Sequence, residues 1–197
     1  MKRILGVTMV TLFVMSSAAL AQTKSAPAPA KAAPATAASP EMIAKGKTLV
    51  MHGMCHDCHT PKTFGPKGMD FDWSKSLSGY PSTQAMPPID KKALAPGYFV
   101  MGTPDLMGWV GPWGVSYAAN LTPDPQTGIG LWTPEVFIAA MRTGKHMGAG
   151  RPILPPMPWN FVADMSDQEL KEIFAYLKSL PPIKNPVPQP IAPADVK

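Results

Sequence analysis

Both cysteines of this 197-residue chain fall in one short run, Gly53-Met54-Cys55-His56-Asp57-Cys58-His59-Thr60-Pro61, with a histidine directly after the second. No other feature narrows the possible folds as much. The C-x-x-C-H spacing is the attachment pattern of a c-type haem. Two thiols at i and i+3 on one helical turn can each add to a different vinyl group of one porphyrin, and the next residue brings its imidazole beneath the iron. A redox dithiol would leave His59 without a role and expects a thioredoxin-like βαβ pattern that the sequence lacks. A structural zinc site wants four ligands, and no second Cys/His cluster follows. A disulfide across so short a loop would staple almost nothing, because the loop-closure gain grows with loop length.

The N-terminus carries an export pattern. Lys2 and Arg3 form a positive n-region, Ile4 to Met15 an apolar h-region and Ala19-Leu20-Ala21 a small-residue cleavage site, so residues 1–21 are predicted to be a signal peptide. The apolar run is short for a membrane span, and an uncleaved anchor is the alternative. Haem attachment of this type takes place outside the cytoplasm, so signal and motif support each other. Residues 22–39 are almost entirely Ala, Pro, Lys, Ser and Thr, a composition that cannot bury a core, and they are expected to be a disordered linker. A compact domain is predicted over 40–183, with a Pro-rich tail over 184–197. The net charge of +5, less the two charges of Lys2 and Arg3, leaves +3 after processing. Without a basic stripe and interleaved aromatics, the chain is not a nucleic-acid binder. Lys45, Lys47, Lys62 and Lys67 flank the haem motif, where they would be solvated or would steer an acidic partner.

Three helices have firm end signals. Ser39-Pro40-Glu41 is an N-cap with proline at N1 and a carboxylate in the first turn, and the helix should run to about His52. Gly46 inside it costs stability relative to alanine, which the close crossing of another helix would explain. Thr133-Pro134-Glu135 repeats the cap logic, with Val136, Phe137, Ala140 and Met141 buried and Gly144 as the end. Ser166-Asp167-Gln168-Glu169 is a capping box with a Met165–Leu170 staple, followed by an apolar stripe through Ile173, Phe174, Leu177 and Leu180 until Pro181-Pro182. Between Thr60 and Ala119 prolines and glycines interrupt every periodic run, leaving room only for a small hairpin of Tyr98-Phe99-Val100 with Trp109-Val110. Gly148 to Trp159 reads as a non-helical strap.

A sixth iron ligand has to come from a segment rigid enough to hold sulfur against iron and outside a helix that would turn it away. Met157 stands in Leu154-Pro155-Pro156-Met157-Pro158-Trp159, where three prolines limit backbone freedom. Met86, in Ala85-Met86-Pro87-Pro88, is its rival, and His146 or His52 would give a bis-histidine iron instead. Met165 and Met141 are accounted for by the staple and by a buried helix face.

Taken together, Cys55-x-x-Cys58-His59, Gly46, the Met157-Pro158-Trp159 strap and the helix from Ser166 resemble the class I c-type cytochromes. Leu77-Ser78-Gly79-Tyr80-Pro81, Trp109-Val110-Gly111-Pro112-Trp113-Gly114, Asn120-Leu121-Thr122-Pro123-Asp124 and Trp132-Thr133 look like a narrower group. These are bacterial cytochrome c domains found as single-haem proteins and as modules of multihaem dehydrogenase subunits. The resemblance covers Glu41 to Ile183. It implies an all-α cytochrome c fold with terminal helices crossing at Gly46 and long loops around one haem c bound through Cys55 and Cys58. His59 and Met157 would be the axial ligands. It further implies that the Pro66 carbonyl accepts the Nδ1 proton of His59, and that Trp113, Tyr117 and Arg151 approach the propionates.

The function expected is that of a periplasmic single-electron carrier in a Gram-negative bacterium, not an enzyme. It would link a dehydrogenase or quinol-oxidising donor to a terminal oxidase, with no transmembrane span after signal cleavage. A haem enzyme with a displaceable sixth ligand would need an acid–base constellation that His146 alone does not form. A haem-based sensor or a subunit tethered to a larger dehydrogenase is the other alternative. A single attachment motif excludes an internal chain of haems.

Overall fold

The computed structural model describes residues 38–97 and 100–197. The expected signal peptide and most of the expected linker, together with Tyr98 and Phe99 of the expected hairpin, lie outside them.

Helix α1, Pro40–His52, begins where the Ser39 side chain accepts the Met42 N–H at 3.2 Å. Helix α3, Pro134–Thr143, begins in the same way at Thr133 and ends at Gly144. Helix α5, Asp167–Ser179, carries the complete capping box: the Ser166 hydroxyl receives the Glu169 N–H at 3.2 Å, and the Glu169 carboxylate receives the Ser166 N–H at 2.8 Å. All three match the predicted spans to within a residue or so. Two single-turn helices join them, α2 at Cys55–His59 and α4 at Trp159–Ala163. The second begins at Trp159, the last residue of the expected strap.

Gly46 is where α1 and α5 meet. A Cβ built there would lie 1.8 Å from the Glu172 carbonyl oxygen and 2.9 Å from Tyr176 Cβ, so only glycine permits this crossing. The crossing belongs to a core of Val50, Leu77, Ile129, Phe137, Ala140, Met141, Leu170, Ile173, Phe174 and Leu177. Three helices that each bury one stripe close this core on themselves.

The fold is not purely all-α. Strands β1, Lys62–Gly65, and β2, Gly68–Phe71, form a hairpin beside the haem motif. Strands β3, Met101–Gly102, β4, Gly108–Gly111, and β5, Gly114–Tyr117, form a second antiparallel sheet in that order. β4 pairs with β3 through Val110–Met101, one residue past the expected Val100. The glycines that broke helical periodicity here serve tight turns between short strands. This sheet builds a second, smaller core of Ala93, Val110, Val115 and Val196.

Val196 corrects the predicted end of the domain at residue 183. The final segment folds back: Ile191 pairs with Val115 through N–H to O bonds of 3.0 and 2.8 Å, and Asn185 is buried. Prolines limit the unfolded freedom of such a segment and so reduce the entropy lost when it docks. Proline richness alone did not make it a free tail.

Candidate haem site

Helix α2 is separated from α1 at Gly53 and Met54, where Met54 takes a left-handed conformation with φ +53°. Cys55 and Cys58 are half-buried free thiols, and Cys55 packs against the main core. Burial pushes the Cys55 thiol up to about 11 and raises Cys58 as well, so both stay protonated at neutral pH.

His59 closes the turn and is only 8% exposed. Its Nδ1 lies 2.8 Å from the carbonyl oxygen of Ala119. A carbonyl can only accept, so the proton sits on Nδ1 and Nε2 keeps its lone pair. Among the described residues Nε2 has no protein partner. Burial holds the imidazole below its ordinary pKa, against an opposing push from the Ala119 bond. A neutral imidazole with Nδ1–H anchored is the form that ligates iron.

Ala119 is positioned by a strap. The Tyr80 N–H donates to Ala118 O at 2.9 Å, the Leu121 N–H to Leu77 O at 2.9 Å and the Gly79 N–H to His59 O at 2.9 Å. Gly79 has φ +79°, and a Cβ on it would come within 2.6 Å of the Ala119 carbonyl carbon. Glycine is therefore needed both for the turn and for the close approach. Thr60, fully buried, receives the Leu77 N–H at 2.9 Å and shares a 2.8 Å contact with His56 Nδ1.

The expectation for Pro66 is corrected by this arrangement. Pro66 stands at the exposed tip between β1 and β2, which point the loop into solvent. The acceptor for His59 comes instead from sixty residues further along the chain.

The two methionine candidates separate by core. Met157, in a turn just before α4, packs against the same buried cluster as Cys55. Met86 packs against the second cluster, with Val110 and Val115. The Met157 strap is fastened to β5, since the Ser116 hydroxyl donates to Pro155 O at 2.6 Å. The Trp113 Nε1–H in turn donates to Ser116 Oγ at 3.1 Å. An indole has only that one donor, so Trp113 braces the strap and is not free for a propionate. The Tyr117 ring lies 4.8 Å from that of Tyr80, against the second core. Arg151 spends one donor on Pro152 O at 3.2 Å. With Trp113, Leu154 and Ile191 it lines an apolar cavity of about 240 Å³. His146 meets Trp132 edge-on at 5.2 Å, and His52 is exposed at the end of α1.

The residues present fit a covalently bound haem. Two free thiols and an imidazole of the ligating tautomer share one turn, and an apolar core stands beside them. Among the described residues no three His, Cys, Asp or Glu side chains are grouped to hold a metal ion. Fold and site together resemble those of a c-type cytochrome domain.

Comparison with known proteins agrees with that class. No protein-family model matches the chain. It is similar to one component of the nicotinate dehydrogenase of Pseudomonas putida, with 38% identity over 77 residues, 39% of this chain and 6% of that protein. The cytochrome c subunit of the quinone-dependent alcohol dehydrogenase of Gluconobacter oxydans is 38% identical over 65 residues, 33% of this chain and 13% of that protein. The fructose dehydrogenase cytochrome subunit of Gluconobacter japonicus is 31% identical over 101 residues, 51% of this chain and 19% of that one. The matched segments thus span less than a fifth of these curated relatives.

Proposed function

We propose that the protein is a single-electron carrier holding one haem c, attached through Cys55 and Cys58 and ligated by His59 and Met157. The observation that carries this reading is the locked His59 tautomer beside two free thiols. Bound there, haem c supplies a one-electron iron couple. The remaining work belongs to the chain. Ala119 orients the imidazole and keeps the proton of the neutral ring on Nδ1, which leaves the Nε2 lone pair free, while burial disfavours the protonated ring. The proline-braced strap presents the Met157 thioether, a neutral donor that favours the reduced ion over bis-histidine ligation. Leu77, Ile129, Phe137 and Met141 provide an apolar, water-excluding wall that favours the reduced state in the same way. The unspent donors of Arg151, which lines that cavity, suit a carboxylate, and we assign it to a propionate. Tyr117, on the other core, is a weaker candidate for that role.

The donor would be a dehydrogenase or quinol-oxidising complex and the acceptor a terminal oxidase, with the protein exported to the periplasm. Among the described residues no helix is long and apolar enough to cross a membrane. A role as the cytochrome subunit of a larger dehydrogenase is the second reading, favoured by relatives that are themselves cytochrome subunits of alcohol and fructose dehydrogenases. Co-purification with a dehydrogenase from membrane extracts separates the two.

Absorbance of the purified protein tests the site. The pyridine haemochrome of a c-type haem, at one per chain, is expected for the wild type and is lost on Cys55→Ser with Cys58→Ser. The weak methionine-to-ferric-iron band in the far red is expected to vanish in Met157→Ala and to persist in Met86→Ala. A high-spin resting spectrum with rapid azide binding in the wild type would overturn the carrier reading in favour of an open-site enzyme.

A further inference from the structure

Asn185 lies far from the haem motif in sequence, yet its buried side chain has every hydrogen-bonding group engaged by one strap. Its Nδ2 donates to Ser78 O at 2.8 Å and to Tyr80 O at 2.9 Å, and Gly79 O lies 3.5 Å away. Its Oδ1 receives the Ser82 N–H at 3.0 Å. The residue is itself held by its own N–H, which donates to Thr127 Oγ1 at 3.0 Å. It is 8% exposed.

The strap has two faces. Its N–H groups at Gly79 and Tyr80 point at the site, to His59 O and Ala118 O, while its carbonyls at Ser78 and Tyr80 point at Asn185. Gly79 rests directly on the Ala118–Ala119 peptide, whose carbonyl anchors His59. From Asn185 to the His59 imidazole there is therefore an unbroken series of backbone contacts with no side chain free to give way. Deleting the amide would orphan two buried carbonyls, which shift to seek water when their donor is lost.

We propose that Asn185 is a positioning residue for the proximal ligand: it holds the 78–82 strap and thereby keeps the Ala119 carbonyl on His59 Nδ1–H. The inference rests on the haem reading above, and it concerns a residue that the expected domain boundary placed in a free tail. An isosteric change sharpens it. Asn185→Asp keeps the acceptor for Ser82 and removes the donors, so it sets a carboxylate against two carbonyls.

The test is hydrogen exchange of the His59 Nδ1–H, read by NMR on the ferrous holoprotein, with thermal melts run on the same samples. Haem content is read separately from the wild-type haemochrome, so failure of the haem reading and failure of the clamp are distinct results. Val196→Ala, a cut in the same terminal segment that touches the second core and not the strap, serves as the stability control. Exchange in Asn185→Ala is expected to be faster than in Val196→Ala by roughly tenfold or more at matched melting temperature, and faster still in Asn185→Asp. Should neither accumulate as holoprotein, Asn185→Gln, which keeps the amide one methylene further out, carries the same comparison. Exchange that follows global stability alone, with all variants on one line, overturns the proposal.

Discussion

A single imidazole bond carries much of this site. Because Ala119 fixes the proton of the neutral His59 ring on Nδ1, the Nε2 lone pair is available, and no change of tautomer would be needed for it to ligate a metal. His56, two positions before Cys58, is a different case. It is buried against Trp73 at 5.1 Å, and its Nε2 has no partner. Burial lowers its pKa from the ordinary 6.5, so the folded protein disfavours the protonated ring. The contribution of this group to stability is present above pH 6.5 and is lost as pH falls through the lowered folded value, because the unfolded chain binds the proton first. Melting temperature is therefore expected to drop between neutral and mildly acid pH, with a shallower drop in His56→Gln. His146, lowered by the same cause, keeps some slope in that variant. Equal slopes in the two proteins would rule His56 out as a contributor. A second residue-level expectation concerns the strap: Ser116→Ala frees Pro155 O and the Trp113 indole together, and the Met157 band is expected to weaken while haem content stays intact.

Among the elements, the α1–α5 crossing is the most exacting. Gly46→Ala gains about 1 kcal/mol of helix propensity and at the same time drives a methyl into a backbone carbonyl that cannot rotate away. Overpacking costs about 1–3 kcal/mol in ordinary cores, and backbone contact at this distance lies at the upper end. A net loss of stability in denaturant melts is expected, and a gain would mean that the helices can separate freely. Ser166→Ala removes one cap from α5 and should cost about 1 kcal/mol, a milder effect on the same helix. The small sheet β3–β5 has no counterpart in a purely helical plan. It supplies Ser116 for the Met157 strap and receives the end of the chain through Val115 and Ile191.

For the molecule as a whole, the terminal segment decides how the two cores join. Asn120 donates to Ile183 O at 2.8 Å and, with Thr122, binds the start of this segment, while Val196 completes the second core. Removing residues 184–197 deletes several buried hydrogen bonds at about 1 kcal/mol each, together with buried aliphatic area worth about 1.5–3 kcal/mol. The truncated protein is expected to melt well below the full chain, as measured by circular dichroism. An unchanged melt would restore the view of these residues as a loose tail.

Chemistry written in adjacent residues was legible from the start. The spacing of Cys55, Cys58 and His59 marks the turn on which the candidate site is built, and Ser39, Thr133 and Ser166 mark helix starts because capping acts within one turn. Gly46 announced a close crossing because glycine in mid-helix is otherwise a loss. The acceptor for His59, the brace on Met157 and the docking of Asn185 had no such signature. Each depends on a backbone carbonyl, a group that nearly every residue carries alike, being delivered from a distant stretch of chain. Only the packing of the two cores determines which carbonyl arrives, and so the haem motif is local while the shell that aims it is tertiary.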